Sequence, residues 1–282
     1  MIKLIECPRD AMQGLHDFIP TETKANYVNK LLRCGFDTID FGSFVSPKAI
    51  PQLRDTAEVL KKLELDPDGS RLLAIVANLR GAEDALKFDE IDFLGFPLSI
   101  SETFQQRNTN RSIAEALVNV AEIQNLCQKH GKTLVTYISM GFGNPYDDPY
   151  DPETVATFVQ RLDNLQVEVI SLADTIGVSN PDVIKPLFET LIPAYPHIEF
   201  GAHLHSTPDT IVEKLEAAWD AGCKRFDGAV KGFGGCPMAK DDLVGNMATE
   251  VMLNYFQKRQ IPTAINREAF AEVLEDAPAV FA

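Results

Sequence analysis

Residues 167 to 206, VEVISLADTIGVSNPDVIKPLFETLIPAYPHIEFGAHLHS, read as one complete strand, helix, strand unit. VEVISLAD (167 to 174) and IEFGAHLHS (198 to 206) are short and rich in β-branched and aromatic residues, as strands are. Between them Asn180 and Pro181 open the helical pattern NPDVIKPLFETL, with proline at the first helical position, where a missing N–H costs nothing. Two strands joined through a helix lie parallel, with a right-handed crossover. Working outward, the same alternation continues. Candidate strands lie at 2 to 7, 38 to 44, 72 to 79, 91 to 98 and 133 to 140 before the unit, and at 225 to 230 after it. Each is followed by a helical pattern. One helix opens at Thr21 and stops at Gly35, and another runs from a Ser112 cap to Gly131. Asp151 with Pro152, and Thr207 with Pro208, repeat the cap-and-proline start. Eight such units predict an α/β fold, a (β/α)8 TIM barrel spanning 1 to 282 as a single domain. An open doubly wound sheet is the competing arrangement, but no G-x-G-x-x-G follows the first strand, where a dinucleotide fold places it.

Composition narrows the function. The chain has 282 residues, 45% of them hydrophobic, enough for a large core. A formal charge of −15 argues against nucleic acid and anionic membranes, whose affinity comes from Lys and Arg on phosphate. No apolar run approaches membrane-spanning length, and MIKLIECPRD lacks a signal-peptide core. Five cysteines (Cys7, Cys34, Cys127, Cys223 and Cys236) are widely spaced with no CxxC pair, which predicts reduced thiols and a cytoplasmic protein. All but Cys236 fall in strand or helix patterns and read as small buried apolar residues.

In a barrel of this kind, functional side chains gather where strands end and the following loops begin. The first strand runs into PRDAMQG, which places Arg9, Asp10 and Gln13 at that rim. In HLHS, His203 and His205 alternate with Leu204 and so face the same way. Asp10 from across the mouth and the amide of Asn246, in GNMATE, complete a set of two nitrogens and two oxygens. That set suits Mg2+ or Mn2+, with Zn2+ or Co2+ also admissible, and leaves room for substrate. Asp174 and Thr175 end the sixth strand at the same rim, although Asp174 could equally cap the next helix. Ser43 and Gln13 read as substrate or water contacts, or as loop hydrogen bonding. PYDDPYDP (145 to 152) is either an acidic cover over the mouth or plain turn chemistry.

PRDAMQ, SFVSPK, ANLRG, SLADTIGV, HLHS, GFGGCP and GNMATE, in this order along nearly the whole chain, resemble the 3-hydroxy-3-methylglutaryl-CoA lyase family. These are metal-dependent barrel lyases related to homocitrate and isopropylmalate synthases. The resemblance implies carbon–carbon cleavage of that acyl-CoA to acetyl-CoA and acetoacetate, in leucine degradation and ketone body metabolism, with a divalent metal and no redox cofactor. It implies a homodimer as well. Position by position, it makes Asp10, His203, His205 and Asn246 the metal ligands. Arg9 becomes the stabiliser of the thioester enolate, Cys236 the thiol of a mobile loop, and Glu250 an acid on the helix behind it.

The chemistry asks for the same parts. A hydroxyl must lose its proton, and a guanidinium belongs where the thioester oxygen gains charge. His203, His205, Asp174 and Cys236 are candidates for moving protons, with Asp10 beside them, since a ligating imidazole has its lone pair engaged. The glycines of GFGGCPMAKD (232 to 241) suit a lid that carries Cys236 inward. SFVSPK and the NTNRS segment read as a CoA approach, with Lys48 and Arg111 equally explained as solvated surface charges. The chain departs from the family pattern at Asp40, a carboxylate shorter than the usual glutamate. It departs also at Ala11, Met140, Asn144, Lys231, Phe233, Met238 and Val251. A related lyase or aldolase for another 3-hydroxy acid is the second reading. The third is a barrel that binds metal and ligand without catalysis.

Overall fold

The structure is a computed structural model that describes residues 2 to 235 and 244 to 281. The elements run β1 (Lys3–Glu6), α1 (Pro8–Gln13), α2 (Thr21–Leu32), β2 (Thr38–Ser43), α3 (Thr56–Leu60), β3 (Arg71–Ile75), α4 (Leu79–Ala85) and β4 (Phe93–Ser99). They continue through α5 (Glu102–Thr109), α6 (Ile113–His130), β5 (Thr133–Ser139), α7 (Pro152–Asn164), β6 (Val169–Asp174), α8 (Pro181–Ala194), β7 (Glu199–Ser206) and α9 (Ile211–Asp220). The last are β8 (Arg225–Gly228), β9 (Gly245–Asn246), α10 (Thr249–Lys258) and α11 (Arg267–Val280).

Strands β1 to β8 pair in sequence, all parallel, and β8 returns to pair with β1. The sheet therefore closes, and the open-sheet alternative is excluded. Closure leaves no unpaired strand edge.

The helix signals operate locally as expected at most positions. Ser112 forms a capping box with Glu115, and Gly131 ends α6 at φ 64°, a left-handed conformation that glycine adopts without steric cost. Asp151 and Asn180 cap α7 and α8 through their side chains, each followed by proline. Thr207 and Pro208 do not start α9. That helix begins at Ile211 after Thr210, whose Oγ1 turns back to the carbonyl of Thr207. PRDAMQ, expected as rim loop, is the short helix α1, begun by Pro8 at its first position.

The barrel interior is divided. Leu73, Ile75, Phe93, Val135, Tyr137 and Val169, all from β3 to β6, form an inner apolar cluster. Inward positions of β7, β8 and β2 carry His203, Asp227 and Asp40 instead, all buried. A bulge in β2 between Asp40 and Gly42 sets Asp40 opposite Leu73 and Ser43 opposite Ile75, so both follow the inward face of β3. One half of the barrel is thus ordinary core, and the other half supports a polar site.

Candidate active site

The site is built from the ends of β1, β2, β6 and β7 and from β9. Turning directly into α1 puts Arg9 and Asp10 over the barrel mouth, both buried. Arg9 is held on several sides. Its Nε lies 3.0 Å and its Nη2 2.5 Å from Asp40 Oδ2, while Nη1 donates to Asp10 Oδ1 and to Gln13 Oε1, each at 2.9 Å. Gln13 in turn donates to Asp10 Oδ1 at 2.8 Å. Burial raises the Asp40 carboxyl to about 6, against the pull of the guanidinium. Burial also acts to raise Asp10, but Arg9 and the two imidazoles outweigh it and hold that carboxyl below its ordinary value.

His203 and His205 project from alternate positions of β7, their rings 5.3 Å apart. Each ring is fixed through Nδ1, His203 on Asp227 Oδ2 at 3.1 Å and His205 on the carbonyl of Thr175 at 3.0 Å. That arrangement leaves Nε2 as the outward nitrogen, since ligand imidazoles typically donate their other ring N–H to a carboxylate or a backbone carbonyl. The Nε2 of His205 is buried and has no hydrogen-bond partner among the described residues. Ligand atoms of Asp10, His203 and His205 all lie within 4.8 Å of one another. A carboxylate and two oriented imidazoles, one with an orphaned nitrogen, fit a divalent cation. Burial and the neighbouring His203 lower the His205 imidazole to about 4, whereas the bond to Asp227 raises His203 despite its burial.

Asn246 reaches the site through β9, which pairs antiparallel with β7 and sets Asn246 opposite His205. Its Nδ2 donates to Asp10 Oδ2 at 2.8 Å and to the carbonyl of Phe233 at 2.9 Å. In this arrangement the amide braces Asp10, and offering its oxygen to a cation takes a half-turn of the side chain.

The other expected residues divide. Arg9, Asp10, Gln13, Thr175, His203 and His205 line one cavity of about 410 Å3. The NTNRS reading meets the same cavity through Asn108 and Thr109, and SFVSPK meets it through Val45, with Ala49 and Ile50 just beyond that segment. Asp40 touches Arg9 rather than the cavity. Ser43 is spent on the backbone N–H of Val45. Asp174 is buried against Lys214 Nζ at 2.9 Å and takes bonds from Ser179, outside the cavity lining. Glu250 accepts from the backbone N–H of Lys231 and is also outside the lining. Cys236 and Met238 lie outside the described residues. The acidic segment resolves as turn chemistry, since Asp148 receives Ser101 and Thr103 at the start of α5 and Asp151 caps α7. Ala11 sits within α1 and needs no positive φ. Gly234 does, at φ 87°, and a Cβ there would lie 2.8 Å from the Ala11 Cα, so the glycine loop packs directly on the Asp10–Ala11 backbone.

Sequence reasoning missed two supports. Asp227, which orients His203, stands as a lone acid in the apolar strand pattern RFDGAV. Lys214 donates to Asp174 Oδ2, to the carbonyl of Gly177 and to the carbonyl of His205, at 2.9, 3.0 and 2.7 Å. Helical spacing puts Lys214 on the same face as Ile211, Leu215 and Ala218, all buried, so a lysine in an apolar stripe was the available signal.

Comparison with known proteins agrees with this architecture. A family model described as HMGL-like matches residues 2–276. A hydroxymethylglutaryl-CoA lyase of Bacillus subtilis is 35% identical over 261 residues, covering 93% of this chain and 86% of that protein. A 3-hydroxy-3-isohexenylglutaryl-CoA/hydroxy-methylglutaryl-CoA lyase of Pseudomonas aeruginosa is 34% identical, covering 96% of this chain and 90% of that one. The solved structure of an HMG-CoA lyase from Acinetobacter baumannii, in complex with coenzyme A and 3-methylmalate, superposes with a TM-score of 0.92 at 31% identity. That superposition covers 100% of this chain and 91% of the other.

Proposed function

The chain belongs to the HMGL-like family, and from that premise we propose that it is a divalent-metal-dependent carbon–carbon lyase cleaving 3-hydroxy-3-methylglutaryl-CoA to acetyl-CoA and acetoacetate. The observation that carries the proposal is the convergence of Asp10, His203 and His205 at the mouth of an acyl-sized cavity, with a buried nitrogen left for a ligand.

Asp10, His203 and His205 hold the cation, with Asn246 as the fourth group, and the oxygen-bearing set favours Mg2+ or Mn2+ over Zn2+ or Co2+. When bound, the metal supplies Lewis acidity toward the substrate's oxygens. Arg9, fixed by Asp40, Asp10 and Gln13, presents a preorganised positive charge where the thioester oxygen becomes an enolate. Because no side chain must reorient, that stabilisation costs little at the moment of bond cleavage. Asp174 is engaged by Lys214 and Ser179 and serves as an anchor of β6, and the two ligating imidazoles have their lone pairs committed, which leaves Asp10 and Cys236 as the first candidates for proton carriers. Thr175 and Gln13 contact substrate at the rim. The family resemblance supports extending this reading to leucine degradation and ketone body metabolism and to a cytoplasmic homodimer. No helix among the described residues is long and apolar enough to cross a membrane.

The test is an assay with this acyl-CoA, with and without Mg2+ or Mn2+, beside Asp10→Ala and Cys236→Ala. Metal-dependent acetoacetate release by the wild type, lost in Asp10→Ala, is expected. A wild type as inactive as its variants overturns the assignment. The apolar share of the cavity, from Val45, Ile50, Ile75, Pro97 and Phe104, favours a second reading in which a longer 3-substituent is accepted. Relative kcat/KM for the methyl and isohexenyl substrates decides between them.

A further inference from the structure

Below the two histidines, the barrel registers align four residues. Tyr137 of β5 pairs with Ser171 of β6, Ser171 with Gly201 of β7, and Gly201 with Arg225 of β8. Tyr137 belongs to the inner cluster, and Gly201 stands two residues before the inward His203, so the row faces the barrel axis. A Cβ on Gly201 would fall 2.9 Å from Ser171 Oγ and 3.1 Å from Arg225 Cδ, which shows that these two side chains meet over the glycine. One step above Arg225 on the same face is Asp227, the residue that fixes His203.

This row is buried and polar, yet largely unpaired. Arg225 and Asp227 are each 1% exposed and Ser171 is 0% exposed. Arg225 Nε and Nη2, Ser171 Oγ, the Tyr137 hydroxyl and Asp227 Oδ1 all lack a hydrogen-bond partner among the described residues. Only Nη1 of Arg225 is anchored, on Glu199 at 3.1 Å. Buried polar groups in folded proteins are paired with protein or with ordered water. The orphaned atoms here include donors and one carboxylate acceptor, so water, which offers both functions, matches the set. An anion matches only the donors and meets the Asp227 charge.

We propose that ordered water occupies the barrel interior between Arg225, Ser171, Tyr137 and Asp227 Oδ1, and that through it Arg225 is the positioning residue for His203. Glu199 holds the guanidinium, the guanidinium and the two hydroxyls hold the water, and the water holds the Asp227 carboxylate that sets the imidazole. The positioning half rests on the reading of His203 as a metal ligand.

Two measurements test it. A high-resolution crystal structure of the metal-free protein is expected to show water bonded to both Arg225 and Asp227 Oδ1. A dry interior, a direct Arg225–Asp227 ion pair, or a bromide peak after soaking overturns the water assignment. In calorimetry, Arg225→Met is expected to weaken Mn2+ binding about tenfold, the lower range for loss of a ligand's outer support, with part recovered in Arg225→Lys. A lowered thermal midpoint with unchanged Mn2+ affinity overturns the positioning role, because a merely structural residue gives that result. If Arg225→Met does not fold, Ser171→Ala removes one water partner alone and is expected to weaken Mn2+ binding to a smaller extent, with no change again overturning the role. Failure of the wild type to bind Mn2+ sinks the metal assignment and the positioning half together, while the crystal still decides the water.

Discussion

Asn246 lies opposite His205 across a two-residue antiparallel ladder, and its amide bonds to Asp10 from the other end of the chain. The barrel proper does not need β9. The ladder instead delivers a polar side chain to a mouth otherwise made by parallel strands, and its geometry depends on Gly245, where a Cβ would lie 2.3 Å from the carbonyl oxygen of Gly232. Gly245→Ala must therefore displace β9 while leaving β1 to β8 intact. Calorimetry with Mn2+ is expected to show affinity weakened at least about tenfold, because β9 carries both the brace on Asp10 and the fourth group for the cation, with a nearly unchanged thermal midpoint.

The Arg9–Asp40 pair gives a second expectation. Asp40→Asn leaves the buried guanidinium with Asp10 as its remaining charge partner, and losing one charged hydrogen-bond partner costs about 1.5–3 kcal/mol. Denaturant unfolding is expected to register that loss. Cleavage is expected to fall with it in kcat more than in KM, because the displaced charge acts on the transition state.

Lys214 is the analogous case on the other side of the mouth. Lys214→Met removes three hydrogen bonds, two of them buried, and strands the Asp174 carboxylate, for a loss of about 3–5 kcal/mol. Combining it with Asp174→Asn removes the uncompensated charge. The double variant is expected to be more stable than Lys214→Met alone, by thermal melting.

Glu6 makes stability depend on pH. Its carboxylate takes the Val230 N–H at 2.8 Å and the Thr249 hydroxyl at 2.6 Å, tying together both ends of the glycine loop. Burial outweighs those bonds and raises the carboxyl to about 8. The folded chain therefore keeps this proton over a range in which the unfolded chain has released it, so stability falls as pH rises from the ordinary carboxyl range to about 8 and levels off beyond. Glu6→Gln is expected to remove that slope in unfolding free energy measured across the same range. A slope unchanged in the variant assigns the titration to another group.

Much of this was readable in the chain order. The eight strands, the caps at Ser112, Asp151 and Asn180, and the shared face of His203 and His205 all follow from spacing within one segment. Thr207–Pro208 misled because a threonine and proline make a turn as readily as a helix start, and Thr210 closes that turn first. Ser43 takes the loop hydrogen bond that was one of its two readings, while Glu250, placed by the resemblance, accepts from the backbone N–H of Lys231.

The sequence by itself determined the strand and helix alternation, and with it the barrel and the rim on which Arg9, Asp10, His203 and His205 stand, because side-chain periodicity is a local property. Only the tertiary structure decided which groups those residues meet. The partnerships of Asp40 with Arg9, Asp227 with His203, Lys214 with Asp174 and Asn246 with Asp10 depend on ring closure and strand register. Closure brings the last strand beside the first, and register fixes which inward residues share a level, so neither is encoded in any single segment.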